Sequence, residues 1–169
     1  MNNGSGDPFR RDKTRVEWAR LDPTKPGGVH VPKRAGDVGW DLEAMEDVVI
    51  PPMQAADVPV NGRLALPRGV WAEVRARSSI ARRNLYVESG IIDTGYRGPL
   101  FVLVRNMALP TIPEYAYGDL EDPRTVVINA GERVGQLIFH LVAAIWTVEV
   151  AEVSIDTERA EDGFGSTGR

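Results

Sequence analysis

The chain has 169 residues, 43% of them hydrophobic and 26% charged, and this length and composition indicate one globular domain. It has no cysteine, and its two histidines, His30 and His140, stand far apart, so disulfides and thiolate chemistry are excluded and a structural zinc site is not expected. The net charge of -4 argues against stable binding of nucleic acid through a basic surface. No apolar run is long enough to cross a membrane, and the first residues lack the apolar core of a secretory signal. We therefore expect a cytoplasmic protein.

The spacing of turn residues predicts an all-β fold. The chain contains 17 glycines and 12 prolines that are scattered along it, which leaves little room for long helices. Short, mostly β-branched apolar runs lie between them. These runs predict strands over residues 14–20, 47–50, 58–66, 70–76, 100–106, 125–129, 133–142 and 146–153. Asn61-Gly62, inside the third run, is a strong turn or bulge signal. Such a pattern is typical of a β-barrel or sandwich.

Three further segments differ from the strands. Residues 78–85 predict a short helix whose serines are placed to cap its first turn. Residues 107–124 contain three prolines and an acidic run, which indicates a surface excursion between two strands. Residues 156–169 lack periodicity and end in glycine-rich sequence, so we expect a mobile arm there. The chain then divides into an N-terminal arm with the first strand (1–30), a core (31–155) and a C-terminal arm (156–169).

Two polar segments have compositions that suit an anion. Arg77 precedes Ser78 and Ser79 at the predicted helix start, where free backbone N–H groups also point. Taken alone, this segment is more simply interpreted as a cap beside a surface arginine. Residues 163–168 alternate glycines with hydroxyl side chains, which favours a cradle of phosphate-binding amides, although a disordered tail is the alternative. Phe164 has no core to join in such a segment and would close over a planar ligand such as a nucleobase.

Three carboxylates and one strand glutamine complete the candidates. Asp93 follows two apolar residues in a predicted hairpin bounded by glycines, where it would serve as a general base for water or only cap its own turn. Asp37 and Asp41 are four residues apart in a predicted loop and suit a hard cation or its hydration shell, with surface solvation as the alternative. Gln136 interrupts an apolar strand and needs a hydrogen-bond partner there.

Taken in order, these segments resemble the five motifs of the trimeric dUTP pyrophosphatase (dUTPase) family. The matching stretches are AGDVGWDL (35–42), RSSIA (77–81), GIIDTGYRG (90–98), AGERVGQLI (130–138) and RAEDGFGSTG (159–168). The third stretch agrees with the family motif almost letter for letter. The resemblance implies a jelly-roll-like β-barrel that uses Mg²⁺ to hydrolyse dUTP to dUMP and pyrophosphate. It also implies a homotrimer in which all three subunits contribute to each active site.

The resemblance further implies a role for each matching residue. Asp93 would activate the water that attacks the α-phosphorus, and Asp41 would orient a water on the magnesium ion. Backbone groups around Gly90 and Ile92 would read the uracil edge, with Tyr96 packed under the deoxyribose. The residues implied to hold the phosphate chain or, for Phe164, to cover the uracil are Arg77, Ser78, Ser79, Gln136, Arg159, Phe164, Gly165, Ser166 and Thr167.

The sequence departs from the family in places, and two rival interpretations remain. Trp40 stands where the family usually has tyrosine, and Glu161 and Asp162 add negative charge near the phosphate cradle. A dCTP deaminase, which has a related fold, carries a glutamate after the aromatic residue of its third motif, whereas Arg97 follows Tyr96 here. The rival from another class is a dUTPase-like regulatory protein that acts by binding a partner. The complete set of catalytic motifs argues against it.

Overall fold

The computed structural model describes residues 14–34, 36–111, 122–143, 145 and 147–154. Within this part the chain forms short strands and one short helix. The strands of the first half are β1 (Glu17–Ala19), β2 (Gly28–His30), β3 (Trp40–Glu43), β4 (Val48–Ile50), β5 (Ala55–Val60), β6 (Arg63–Ala65) and β7 (Val70–Arg75). The helix α1 (Ser78–Ala81) follows, and then β8 (Leu85–Val87), β9 (Gly90–Ile92), β10 (Leu100–Asn106), β11 (Val126–Ile128) and β12 (Arg133–Leu141).

Hydrogen bonds join these strands into four antiparallel sheets. The largest has the order β2-β3-β12-β7-β9, and a three-stranded sheet has the order β5-β10-β8. The pairs β1-β6 and β11-β4 form the two smaller sheets. Strands that are distant in sequence lie side by side, because β12 is bonded to β3 on one edge and to β7 on the other. The prediction of an all-β chain with one short helix is confirmed.

A single hydrophobic core lies between the sheets. Strand β10 shows how it is built, because Leu100, Val102 and Val104 are buried while Phe101 and Leu103 point outward. This two-residue alternation is what a strand with one covered face requires. The side chains that are almost fully buried elsewhere include Leu42, Ile50, Val58, Val60, Leu64, Ile80, Ile128, Val134 and Leu137. Burial of each such side chain stabilises the fold by about 1.5–3 kcal/mol.

The predicted turn at Asn61 is confirmed, although its two strands belong to different sheets. Strand β5 pairs with β10, whereas β6 pairs with β1. Asn61 is fully buried, and its Oδ1 accepts hydrogen bonds from the backbone N–H groups of Leu21 (3.0 Å) and Asp22 (2.9 Å). Its Nδ2 donates to the carbonyl oxygens of Asp22 (2.7 Å) and Lys25 (2.9 Å). This side chain therefore fastens the N-terminal segment to the core.

Most predicted strands are confirmed to within three residues of their predicted bounds, and four strands were not predicted. The missed strands are β2, β3, β8 and β9, each three or four residues long. A run this short shows too few alternations to be recognised. The predicted hairpin over residues 90–98 is wrong: β9 pairs with β7 instead. After β9 the chain makes a turn, closed by a hydrogen bond of 3.0 Å from the backbone N–H of Tyr96 to the carbonyl oxygen of Asp93.

The helix is shorter than predicted, and the predicted serine cap is wrong. Arg77 occupies the N-cap position and makes no side-chain capping bond, so the serines lie inside the helix. The segment leaves the helical conformation by Asn84, whose φ of 59° is left-handed. Strand β8 begins at the next residue, and its pairing with β10 therefore limits the length of the helix.

The predicted strand over residues 146–153 is also wrong for its described part. Residues 147–154 form no regular secondary structure, and Val148, Val150 and Val153 are exposed. An amphipathic strand needs a neighbouring strand for its backbone groups and a core for its apolar face. Most of the predicted excursion and the predicted C-terminal arm lie outside the described residues. Within the described part, no helix is both long and apolar enough to cross a membrane.

Candidate functional site

A polar cavity of about 470 Å³ opens where the segment before β3, the strand β12 and the start of α1 meet. Its lining residues are Gly36, Asp37, Val38, Gly39, Asp41, Arg77, Ser78 and Gln136. These residues come from three stretches singled out in the sequence, 35–42, 77–81 and 130–138. The fold therefore brings together five of the candidate residues: Asp37, Asp41, Arg77, Ser78 and Gln136.

The register of β3 and β12 sets this arrangement. Gln136 pairs with Asp41, and Arg133 pairs with Glu43. Asp41 and Glu43 share one face of β3 because they are two residues apart. Arg133 and Gln136 are three apart and share a face only because the register shifts between Arg133 and Gly135. A β-bulge thus places the side chains of Arg133 and Gln136 on the same face of the sheet as those of Asp41 and Glu43.

Gln136 is held from both sides. Its Nε2 donates a hydrogen bond of 3.0 Å to the carbonyl oxygen of Ala76, directly before Arg77. Its Oε1 lies so close to Gly39 that a Cβ at that position would collide with it. The predicted need for a partner is therefore met, and the absence of a side chain at Gly39 leaves room for the glutamine to face the cavity.

The Asp41 carboxylate is paired with two arginines. Its Oδ1 lies 2.8 Å from Nε of Arg77, and its Oδ2 lies 3.1 Å from Nη1 of Arg133. The side chain of Asp41 is 21% exposed and that of Arg77 is 28% exposed, so solvent screens this pair less than a surface pair. Arg133 was not among the predicted site residues. Gly135 was the available signal, because a glycine inside a strand often marks a bulge.

A second cavity of about 300 Å³ lies next to the first and shares Asp37 with it. Its lining is mostly basic: His30, Val31, Lys33, Arg34, Asp37 and Arg133. Clustered cations raise the local concentration of anionic ligands even on a chain of net negative charge. The surroundings of the site therefore favour a polyanion.

The residues present fit a magnesium ion that arrives with its ligand. Among the described residues, no group of three or more His, Cys, Asp or Glu could hold a metal ion by itself. The larger cavity is lined by two carboxylates, those of Asp37 and Asp41. Mg²⁺ keeps several waters and takes phosphate oxygens directly, so one or two protein carboxylates are enough for it.

The second group of predicted site residues lies elsewhere on the chain. Asp93 follows Ile92, which pairs with Ala72 on β7, whereas Arg77 comes five residues after Ala72. Five residues of extended chain span about 16 Å, so Asp93 and Arg77 lie near opposite ends of the same strand. Asp93 and Tyr96 are exposed, and neither lines the cavity. One chain thus divides the predicted active site into two separate parts.

The remaining predicted residues fall into three groups. Gly90 and Ile92 form the ends of β9, on the Asp93 side of the division. Ser79 belongs to α1 and does not line the cavity, but its hydroxyl oxygen accepts a hydrogen bond of 3.4 Å from Nη1 of Arg77. The C-terminal residues Arg159, Phe164, Gly165, Ser166 and Thr167 lie outside the described residues.

Fold and site together define an all-β protein with a polar cavity that is lined by two carboxylates, an arginine, a serine and a glutamine. The family model for dUTPase matches residues 26–114. The chain is 37% identical over 159 residues to a deoxyuridine 5'-triphosphate nucleotidohydrolase of Mycobacterium marinum, covering 88% of this chain and 92% of the relative. The enzyme of the same name from Thermobifida fusca is 38% identical over 160 residues, covering 91% and 79%. The chain belongs to the dUTPase family, and the resemblance predicted from the sequence is confirmed.

Solved structures confirm the predicted fold. The structure of Staphylococcus bacteriophage 80alpha dUTPase with dUPNHPP superposes with a TM-score of 0.79 at 24% identity, covering 93% of this chain and 100% of that chain.

The chain also matches viral Pol polyproteins. It is 36% identical over 145 residues to that of an ovine maedi visna related virus, and this match covers 12% of the polyprotein.

Proposed function

We propose that the chain hydrolyses dUTP to dUMP and pyrophosphate, by attack of water on the α-phosphorus. The observation that carries the proposal is the cavity in which Asp41, Arg77 and Gln136 meet, in a chain of the dUTPase family. A bound triphosphate brings roughly four negative charges, which repel an incoming water until cations offset them. Arg77, which lines this cavity, supplies part of that positive charge.

Arg77 and the two serines after it would bind the phosphate chain. A guanidinium group can donate two parallel hydrogen bonds to phosphate oxygens, which fixes both position and orientation. Ser78 lines the cavity beside it, and the hydroxyl of Ser79 is within reach of the same guanidinium. Gln136 would support the phosphate and water network from the floor of the cavity. Its hydrogen bond to Ala76 ties that floor to the backbone next to Arg77.

Mg²⁺ would supply charge neutralisation and polarisation of the phosphoryl oxygens when bound with the substrate. Asp41, with Asp37 beside it, would hold the waters of that ion. In the structure the Asp41 carboxylate is paired with Arg77. Binding of a triphosphate therefore implies an exchange of partners, in which Arg77 turns to phosphate and Asp41 to hydrated cation.

Asp93 would be the general base that takes the proton from the attacking water. Its position in a turn directly after the buried end of β9 leaves the carboxylate accessible. Gly90 and Ile92 would present their backbone groups to the uracil edge, and the ring of Tyr96 would pack against the deoxyribose. A positioned base of this kind contributes roughly 10²–10⁴-fold to the rate.

We infer that the active chain is a homotrimer with shared sites. Asp93 and Arg77 lie too far apart on one chain to act on one phosphate group, so a second subunit would have to supply Asp93. Exposed apolar side chains near the C-terminal end of the described chain support an association of subunits, because water-exposed patches of this kind mark interfaces. They are Leu141, Ile145, Val148, Val150 and Val153.

The C-terminal arm, residues 156–169, would complete the site from another subunit. The residues proposed to close over the nucleotide are Arg159, Phe164, Gly165, Ser166 and Thr167. The division of the chain into residues 1–30, 31–155 and 156–169 and a cytoplasmic location belong to the same proposal.

One assay tests the reaction. The chain is incubated with dUTP or dCTP, with Mg²⁺ or with EDTA, and dUMP, pyrophosphate and ammonia are measured. We expect dUMP and pyrophosphate from dUTP, strongly reduced by EDTA, and no ammonia from dCTP. Ammonia as the product would favour the deaminase alternative. Absence of any product, with the trimer intact, would favour a regulatory protein.

A mixing experiment tests the shared site. Asp93→Asn and Arg77→Gln are each expected to be inactive alone. Mixed trimers, formed by refolding the two chains together, contain some sites with an intact Asp93 from one subunit and an intact Arg77 from another. Recovered activity supports the shared site. If tagged mixed trimers form and stay inactive, Asp93 and Arg77 act from the same subunit.

A further inference from the structure

We propose that Arg133 is a positioning residue that holds the Asp41 carboxylate in place when Arg77 leaves it for the phosphate chain. The inference rests on the proposed function and assigns a role to a residue to which the proposed function gives none. It starts from the observation that two arginines share one carboxylate, each through a different oxygen.

The two arginines approach Asp41 from different cavities. Arg77 lines the larger cavity, together with Ser78 and Gln136, whereas Arg133 lines the smaller, basic one. A phosphate chain in the larger cavity therefore meets Arg77 first. Arg133 keeps its contact with Oδ2 of Asp41 while Arg77 gives up Oδ1. The geometry separates the arginine that can move from the arginine that can stay.

Arg133 also has an anchor that does not depend on Asp41. Its Nε lies 3.3 Å from Oε1 of Glu43, the residue opposite it in the β3–β12 ladder. Oε2 of Glu43 in turn lies 2.7 Å from Nε2 of His30 on the neighbouring strand β2. The β-bulge after Arg133 directs its side chain to this face of the sheet. The Arg133 guanidinium thus contacts the carboxylates of both Asp41 and Glu43, and its backbone on β12 is paired with β3.

Such an anchor changes the free energy of the partner exchange. If Arg77 were the sole cation on Asp41, its departure would leave a half-buried carboxylate uncompensated just as a polyanion enters the cavity. A group left without its partner in this way is penalised more than the net value of the original pair. With Arg133 in place, Asp41 stays paired throughout. The carboxylate also remains oriented toward the hydrated cation that it is proposed to meet.

The inference predicts a change in affinity rather than in the chemical step. In Arg133→Met, which keeps an unbranched apolar stem but removes the guanidinium group and its charge, Asp41 competes more strongly for Arg77. We expect the Kd of a non-hydrolysable dUTP analogue, measured by calorimetry with Mg²⁺, and the KM for dUTP to rise roughly 3- to 30-fold. We expect kcat to change less than about threefold. Arg133→Lys should recover part of the loss, because it restores the charge without the planar fork.

Arg105→Met is the matched control. Arg105 is also a strand arginine that pairs with a glutamate, Glu88, at 3.4 Å, and its exposure is similar to that of Arg133. This variant should leave the Kd and KM unchanged. If Arg133→Met and Arg105→Met have equal effects, the loss is a general result of removing a surface charge and the inference is wrong.

A double-mutant cycle with Asp41→Asn tests whether Arg133 acts through Asp41. Once the carboxylate is gone, Arg133→Met should add little to the Kd, because the two changes remove the same interaction. An undiminished effect in the Asp41→Asn background would overturn the inference, as would an unchanged Kd in Arg133→Met alone. Should Arg133→Met fail to fold, the same cycle with Arg133→Lys decides the question. Absence of dUTP hydrolysis by the unchanged chain would refute the proposed function. The double-mutant cycle measures only the Kd of the analogue, so it tests the role of Arg133 independently of catalysis.

Discussion

The phenol hydroxyl of Tyr96 donates a hydrogen bond of 2.8 Å to the carbonyl oxygen of Pro99, which holds the ring against its own turn. The ring covers Gly98, where an added Cβ would lie 2.7 Å from Cζ of Tyr96. Gly98 and the hydrogen bond from the Tyr96 hydroxyl to the backbone of Pro99 therefore set the orientation of this ring, which remains 41% exposed. An exposed ring that is held in place can present a rigid face to a ligand.

Tyr96→Ala should relax the preference for dUTP over UTP. A ring in contact with C2′ leaves no room for a hydroxyl and offers it no hydrogen-bond partner, and the unpaired polar group alone costs about 1–3 kcal/mol. We expect the ratio of kcat/KM for dUTP to that for UTP to fall roughly tenfold, with weaker dUTP hydrolysis as well. Tyr96→Phe is the comparison: it keeps the ring and loses only the hydrogen bond to Pro99, so it should retain more of the preference for dUTP than Tyr96→Ala. An unchanged ratio in Tyr96→Ala would show that another group reads the sugar.

Gly98→Ala should have the same effect without removing the ring. The added methyl group occupies the space of the Tyr96 side chain, so the ring must swing away from its turn. The dUTP to UTP ratio should shrink toward the value of Tyr96→Ala, while the fold remains stable. Gly95→Ala is the comparison, because a Cβ there meets no atom within 4 Å. Retention of full discrimination in Gly98→Ala would separate sugar selection from the orientation of this ring.

Asp93→Asn should abolish hydrolysis and leave dUTP binding largely intact. The amide still forms hydrogen bonds but cannot take a proton from water, so turnover should fall about 10²–10⁴-fold. Steady-state kinetics and calorimetry with a non-hydrolysable analogue separate the two effects. Near-normal turnover in the variant would rule out Asp93 as the base.

Removal of residues 156–169 should leave a folded trimer with little activity. This segment lacks the periodicity of a core strand, so the fold should not need it. It nevertheless carries the residues proposed to order over bound nucleotide. Sedimentation would report the assembly, and pyrophosphate release would report the activity. Full activity of the shortened chain, or its dissociation, would contradict the proposed arm.

Asn61→Ala should destabilise the fold by about 2–4 kcal/mol, because it leaves several partly buried backbone groups without their hydrogen-bond partner at once. The side chain of Asn61 accepts from Leu21 and Asp22 and donates back to the same segment. Asn129→Ala, at an exposed position, should change stability by less than about 0.5 kcal/mol. Urea unfolding at one fixed chain concentration measures both. Equal midpoints for the two variants would show that the Asn61 network contributes nothing.

Local sequence pattern predicts a strand correctly only where the fold supplies neighbouring strands. Strand β10 begins with five consecutive apolar residues, LFVLV, and its predicted bounds agree with the structure. The sequence of residues 146–153 alternates clearly between apolar and polar residues, yet the described part of this predicted strand is not a strand. The difference lies outside the segment: β10 has β5 and β8 as neighbours, whereas periodicity cannot show whether a partner strand exists.

For the candidate site, as for the strands, local sequence predicted the residues but not how they are placed relative to one another. The sequence by itself determined which residues are candidates for the chemistry, from the Arg77-Ser78 step to the Asp93 turn, because motif and composition are properties of adjacent residues. Only the tertiary structure decided that Asp41 faces Arg77 and that Asp93 lies near the other end of β7. Those relations depend on the antiparallel direction and register of strands far apart in the chain. One bulged residue in β12 is enough to change which side chains share a face.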